Sequence, residues 1–317
     1  GGEVHFACRM EELILERGEV RGVVCSGGRT FHGPVLLATG HSARDVYRYL
    51  HRAEILIEAK PIAVGVRLEH PQSLIDEIRY HSPEGRGKYL PAAEYVYKAQ
   101  AEGRGVYSFC MCPGGFVVPA STGPEETVVN GMSPANRGSR WANSGLVVEL
   151  HPEDIPATGI KVEDPTSPLA LMQWCEAFEH KSYLAANRSL RAPAQRMTDF
   201  VARRHSSTLP SSSYTMGLTS SDLHEWMPDF ITRRLSAGFR AFDRTTRGFL
   251  TGEAQLIGVE SRTSSPVRIP RDRMTYAHPV VAGLYPAGEG AGFAGGIVSA
   301  AIDGENAAQQ IALALGR

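Results

Sequence analysis

Five cysteines and three tryptophans in 317 residues are too few for a disulfide scaffold. The cysteine number is odd, GGEVHFACRMEEL at the N-terminus carries early acids and no long apolar region and so does not read as a signal peptide, and no C-x-x-C or histidine pair gives zinc spacing. Reduced thiols in a cytoplasmic protein without a metal are therefore expected. No apolar run approaches the ~18 residues of a membrane helix, so no membrane span is expected. A net charge of −1 gives no reason to expect nucleic acid or an acidic membrane as partner. No Ser/His/Asp signature, H-E-x-x-H or P-loop occurs, which removes several common hydrolase readings. Nor does any internal repeat or low-complexity tract stand out. With 42% hydrophobic and 21% charged residues, the chain reads as globular and long enough for two domains.

Glycine is abundant where it matters. After an apolar run, Val280 to Leu284, the segment YPAGEGAGFAGGIVSAAIDGENAA places Gly288, Gly290, Gly292, Gly295 and Gly296 within nine residues. Ile297, Ala300, Ala301, Ala308 and Ile311 then recur at helical spacing. Strand, glycine turn and helix start in that order let backbone N–H groups meet a bound anion at the positive end of a helix dipole. Glycine permits both close approach and positive φ. Glu289 lies inside the turn, where a carboxylate can accept hydrogen bonds from sugar or ribityl hydroxyls. A tightly packed strand–helix connection is the simpler alternative.

This tail resembles the C-terminal FAD motif of two-dinucleotide-fold flavoproteins. Together with LATGHSARD (Leu37 to Asp45), SFCMCPGG (Ser108 to Gly115) and VESRTSSPVRIPR (Val259 to Arg271), it is similar to a family of bacterial FAD-dependent dehydrogenases. The resemblance implies a flavin-dependent oxidoreductase that binds FAD, with NAD(P) as a possible second cofactor and a small-molecule substrate. It implies cofactor contacts from Gly40, His41, Gly288, Glu289, Gly290, Ala291, Gly292, Phe293, Gly295, Gly296 and Ile297. Such proteins begin with a strand carrying G-x-G-x-x-G and an acidic residue ~20 positions on. Neither is present here, and Gly1-Gly2 opens on a segment internal to the family, so a fragment lacking that half-site is expected.

The rest of the chain yields weaker candidates. Residues 3–38 alternate as a β-meander, and Val35 to Ala38 reads as a buried strand running into Thr39-Gly40-His41. Ser42 and Asp45 suggest a capping box before a helix with Val46, Tyr47 and Leu50 inward. Cys110 and Cys112 alternate on a strand and so face one side, for redox or metal chemistry or simply as two buried small hydrophobes. Met132, Asn136, Arg137, Arg140, Trp141 and Asn143 fall between two apolar strands, either as cleft lining or as an ordinary hairpin loop. Between Asn187 and Arg273, 14 basic residues face 8 acidic ones. That is a basic wall toward an anion or a set of solvated faces. Arg262 and Arg268 can clamp a carboxylate or phosphate, or sit in structural ion pairs. After Pro228, Ile231, Leu235, Phe239 and Phe242 mark an amphipathic helix with Arg233, Arg234 and Arg240 outward.

The expected fold is α/β: residues 1–60 and 270–317 as part of a Rossmann-like FAD/NAD(P)-binding domain, and 61–269 as an inserted α+β substrate domain. The alternative function is a non-catalytic domain holding an anion or partner through its arginine-rich half.

Overall fold

The computed structural model describes residues 2–316 and is mixed α/β, built around one large mixed sheet. Its chain divides into two compact units: Gly1–Lys60, Thr166–Met172 and Ser264–Arg317 form the first, and Pro61–Pro165 with Gln173–Thr263 form the second.

In the first unit, Met10–Glu16, Glu19–Cys25 and Arg29–His32 make an antiparallel sheet. The expected early strand at Val4, Phe6 and Cys8 is absent, and those residues lie outside any strand. Val35–Leu37 is not a fourth meander strand. It pairs in parallel with Leu284–Pro286, through Val35↔Leu284, Leu36↔Tyr285 and Leu37↔Pro286. The parallel sheet here is two-stranded, with one further parallel bridge between Glu19 and Ala282. The helix after it, Arg44–Arg52, starts later than the capping box suggests: Ala43 is its N-cap, without a side-chain cap. Val46, Tyr47 and Leu50 are buried with Leu13, Val20, Leu37, Ile269 and Leu284 in one core. The long C-terminal helix, Ile297–Ala314, forms as its spacing predicts, but Ala307 alone is buried on it. Ile297, the first residue of its apolar stripe, is 93% exposed.

The second unit holds a seven-stranded sheet. Ile62–Pro71 pairs antiparallel with Trp141–Leu150 over ten residues, from Ile62↔Leu150 to Pro71↔Trp141. Arg104–Cys112 and Lys98–Ala101 extend the sheet on one side. Gln255–Glu260, Ala192–Arg196 and Leu218–Ser220 extend it on the other, the last pairing parallel. The two central strands are buried on both faces, which the apolar run Ile62, Val64, Val66, Leu68 favours. Val129–Met132 pairs with Phe116–Pro119 rather than with Trp141–Leu150, so residues 133–140 are not a hairpin loop. The helix Asp229–Thr245 buries Ile231, Leu235, Phe239 and Phe242. Arg234 departs from the expected wet face. It is buried, its guanidinium lies 3.8 Å from the Phe230 ring centroid, and it donates to the carbonyls of Phe230 and Glu102. Four residues separate Arg234 from Phe230, so helical spacing stacks the cation on the ring. The serine run also departs from an exposed loop, since Ser206 and Ser213 are buried.

Candidate functional site

The glycine segment of the first unit follows Leu284–Pro286, and Gly40 follows Val35–Leu37, so both turns leave the carboxyl ends of parallel strands. Ligands of open α/β sheets bind at such ends. Gly40 and Gly288 both take positive φ, +77° and +74°. At Gly290 the two turns touch: a Cβ there would come within 2.6 Å of the Gly40 carbonyl oxygen. Gly292, at φ +84°, passes close to Lys60 and the backbone of Val267 and Arg268. The buried Tyr47 hydroxyl ties the crossing together by donating to the Gly290 carbonyl at 2.7 Å, with the Ser265 hydroxyl 2.9 Å away. Burial pushes the Tyr47 phenol up to about 12, so it stays a neutral donor. Asp303, in the second turn of the last helix, accepts from the Gly288 N–H at 2.7 Å and from Arg271 at 2.9 and 2.5 Å. Sequence reading missed Asp303 and Arg271, although an acid shortly after a glycine turn is a signal for pinning it.

Gly295 and Gly296 are different. Nothing lies within 4 Å of a Cβ at Gly295, and at Gly296 only the Ser299 hydroxyl does, at 3.6 Å. Neither has positive φ. Internal packing and backbone strain therefore explain Gly290 and Gly292 but not these two, which open onto free space just before the helix.

His41 Nδ1 and Glu289 Oε2 lie 3.1 Å apart, each partly exposed. Ala291 points the other way and is part of the core. Phe293 is partly exposed, with the Arg271 guanidinium 4.0 Å and the Arg268 guanidinium 5.8 Å from its ring centroid. The Nε of Arg268 is buried without a hydrogen-bond partner among the described residues. Beside it, Lys60 donates to the Ser264 hydroxyl at 3.3 Å. Burial first, then the Arg268 charge, lowers the Lys60 ammonium below its ordinary range, against the pull of Glu289. Two cations crowded beside the glycine turn, one with an unsatisfied buried donor, are arranged for an anion. Lys60 gave no sequence signal, since it stands alone at the end of an apolar-polar run.

In the second unit the central strands carry a buried polar cluster. Arg67, fully buried, donates from Nε to Asn143 Oδ1 (2.8 Å), from Nη1 to Glu260 (2.9 Å), and from Nη2 to the Cys110 carbonyl (2.6 Å) and Cys112 Sγ (3.3 Å). Burial pushes the Glu260 carboxyl up despite Arg67. Gly131 crosses directly over this cluster, where a Cβ would collide with Arg67 Nη2 and Asn143 Oδ1. Trp141 and Arg140 line a cavity of about 250 Å³ with Glu69, Arg196 and Gln255.

Arg262 resolves to the structural ion-pair alternative. It is buried and donates to Glu126 at 2.7 Å, Glu179 at 3.1 Å and the Thr122 hydroxyl at 2.6 Å. Several members of the basic stretch are likewise taken up internally: Arg204 by Asp199, Arg203 by Asp229, Arg191 by the Thr219 hydroxyl, and Arg196 by the Gly252 carbonyl. No group of three or more His, Cys, Asp or Glu residues that could hold a metal ion occurs among the described residues, and no described helix is long and apolar enough to cross a membrane.

A family model described as "FAD-dependent protein, C-terminal domain-like" matches residues 61–263, well over half of the chain. The chain belongs to that family. Over 315 residues it is also 40% identical to an uncharacterized protein of Clostridium beijerinckii, covering 98% of this chain and 57% of that protein. It thus spans a little over half the length of this relative. Family membership associates the chain with FAD and with flavoprotein-related function.

Proposed function

We propose that the chain is part of an FAD-dependent oxidoreductase and that the glycine turn of its first unit faces the flavin. One observation carries this reading: Gly295 and Gly296 are required neither by φ nor by packing, yet both border open space at the start of a helix. A flat or anionic ligand approaching the backbone is what such glycines accommodate. The residues present suit FAD. Glu289, positioned by His41, would accept from ribityl hydroxyls, and Gly40 and Gly288 would present backbone. Lys60 and Arg268 supply positive charge, and the buried Arg268 Nε is a donor in need of an acceptor. The bound flavin would supply hydride transfer; the chain's residues bind, orient and exclude water. The lowered Lys60 ammonium is suited to meet an anionic flavin or a carboxylate substrate, and Arg268 has the same role in the proposal. Residues 61–263 would form the substrate domain.

An FAD titration of the 317-residue chain tests this, read by flavin fluorescence quenching and the visible spectrum. Saturable binding is expected, weakened at least tenfold by Gly295→Val and by Arg268→Met while the far-ultraviolet dichroism is unchanged. Binding in which Gly295→Val matches the unsubstituted chain refutes the placement of the flavin at this turn.

A further inference from the structure

Cys110 and Cys112 are not used by the flavin reading. Between the pairs Gly145↔Phe109 and Asn143↔Cys112, the strand Arg104–Cys112 carries one residue more than its partner. It bulges there, and Cys110 takes a left-handed φ of +45°. Bulges re-aim side chains, and left-handed backbone is uncommon for a residue that is neither glycine nor asparagine. The simple alternation therefore fails: Cys110 is exposed and Cys112 buried. The two residues still share one guanidinium, since Arg67 Nη2 reaches both the Cys110 carbonyl and Cys112 Sγ, and Cys112 Sγ lies 3.5 Å from the Cys110 carbonyl. Two buried polar atoms in the same cluster have no partner among the described residues, Asn143 Nδ2 and Glu260 Oε1.

We infer that Cys110 and Cys112 form a dithiol–disulfide exchange site on the second unit, with Cys110 as the attacking sulfur, Cys112 as the resolving sulfur and an accessible disulfide as substrate. Arg67 holds the resolving sulfur in place. The exchange balances in two steps. The Cys110 thiolate attacks one sulfur of R–S–S–R, forming a mixed disulfide and releasing one thiolate. Cys112 then attacks Cys110 Sγ; the S–S bond to R breaks, the second thiolate leaves, and it takes up the Cys112 proton. The substrate disulfide is reduced to two thiols while the Cys110–Cys112 pair is oxidised.

The electrostatics agree with this assignment. A hydrogen bond from Cys112, opposed by burial and helped by the Arg67 charge, brings the Cys110 thiol down to about 5. The same shared proton and burial push Cys112 up. An exposed thiolate backed by a protonated neighbour is the arrangement of dithiol redox pairs.

Reaction of the folded chain with 5,5′-dithiobis(2-nitrobenzoate) tests the inference, with peptide mapping by mass to assign each sulfur. A thiol held below its ordinary value keeps its thiolate at a pH where an ordinary thiol has lost it, at some cost in nucleophilicity. The signature is therefore a rate that stays flat below pH 8, where that of an ordinary thiol falls tenfold per pH unit, with two nitrothiobenzoates released and a Cys110–Cys112 linked peptide. Cys112→Ala should release one, keep a stable adduct on Cys110, and move the rate profile to higher pH. Cys110→Ser should lose the fast phase. A tenfold fall in rate per pH unit below pH 8, or a persistent adduct on Cys110 in the unsubstituted chain, overturns the inference whether or not the variants fold.

Discussion

The two classes of glycine in the C-terminal turn should respond in opposite ways to a single methyl group. In Gly290→Ala the new Cβ would lie 2.6 Å from the Gly40 carbonyl oxygen, 2.7 Å from its carbon and 2.8 Å from its nitrogen. All three are backbone atoms, so relief requires the two turns to part by roughly half an ångström or more. Overpacking of this kind costs about 1–3 kcal/mol. Parting the turns also stretches the Tyr47–Gly290 hydrogen bond, for about 1 kcal/mol more. Gly295→Ala meets nothing within 4 Å and needs no positive φ. It should be neutral, or stabilise by about 0.4–1 kcal/mol through the lost freedom of the unfolded chain. The two variants should therefore differ by roughly 2–5 kcal/mol. Urea unfolding followed by circular dichroism measures this directly. Trp141, Trp174 and Trp226 all belong to the second unit, so tryptophan fluorescence serves as an internal reference for that unit. Equal midpoints for Gly290→Ala and Gly295→Ala would refute the packing argument. A loss of FAD binding without loss of stability in the Gly295 variants is the result that separates a ligand site from a tight turn.

Two further substitutions probe buried charge. Arg67→Met removes the partner of a fully buried carboxylate and should cost about 3–5 kcal/mol, whereas Arg67→Met with Glu260→Leu should recover much of that loss. A double variant as unstable as the sum of the singles would show that Arg67 acts through Asn143 and the cysteine segment instead. Because the folded Glu260 carboxyl lies above its unfolded value, its contribution is unfavourable once pH rises past ~4.3, so the Arg67→Met variant should be relatively most stable in acid. Asp303 behaves oppositely. Burial raises its carboxyl, but the bonds from Arg271 and Gly288 N–H outweigh that and hold it below the usual 3.8. A depressed carboxyl stabilises above its unfolded value and ceases to as pH falls through the folded one. Asp303→Asn should therefore cost about 2–3 kcal/mol at pH 7, and the gap to the unsubstituted chain should close below about pH 4 in pH-dependent thermal unfolding. A gap that is constant with pH would refute the ionic pinning of the turn.

Much of the fold was legible because it rests on local pattern. The helices at Arg44–Arg52, Gln72–Tyr80, Asp229–Thr245 and Ile297–Ala314 follow from apolar spacing, and Ile62–Pro71 from the recurring apolar residues Ile62, Val64, Val66 and Leu68. Strand pairing was less legible, since it is set by contacts distant in sequence. Val35–Leu37 continues the alternation of the meander, yet its hydrogen bonds go to Leu284–Pro286, some 250 residues away. The turn glycines announced themselves; the groups that hold them did not. Tyr47 reads as one more core residue on an amphipathic helix, and nothing local reveals that its hydroxyl serves Gly290.

The arginines show most clearly where composition stops being informative. Fourteen basic residues in one stretch suggested a wall facing an anion, but charge density says nothing about which guanidiniums already have partners. Arg262 and Arg268 lie six residues apart in the same motif and look interchangeable in sequence. Arg262 has two carboxylates and a hydroxyl to satisfy its fork, and a buried cation so paired is held in place. Arg268 has a buried donor unsatisfied and a second cation, Lys60, beside it, an arrangement that costs stability unless negative charge arrives. Unpaired donors next to repelling cations are therefore the better guide to an anion site than arginine number. On that criterion Arg268→Met should weaken FAD binding while leaving stability equal or improved, and Arg262→Met should do the reverse. Weakened FAD binding in Arg262→Met at unchanged stability would break the criterion.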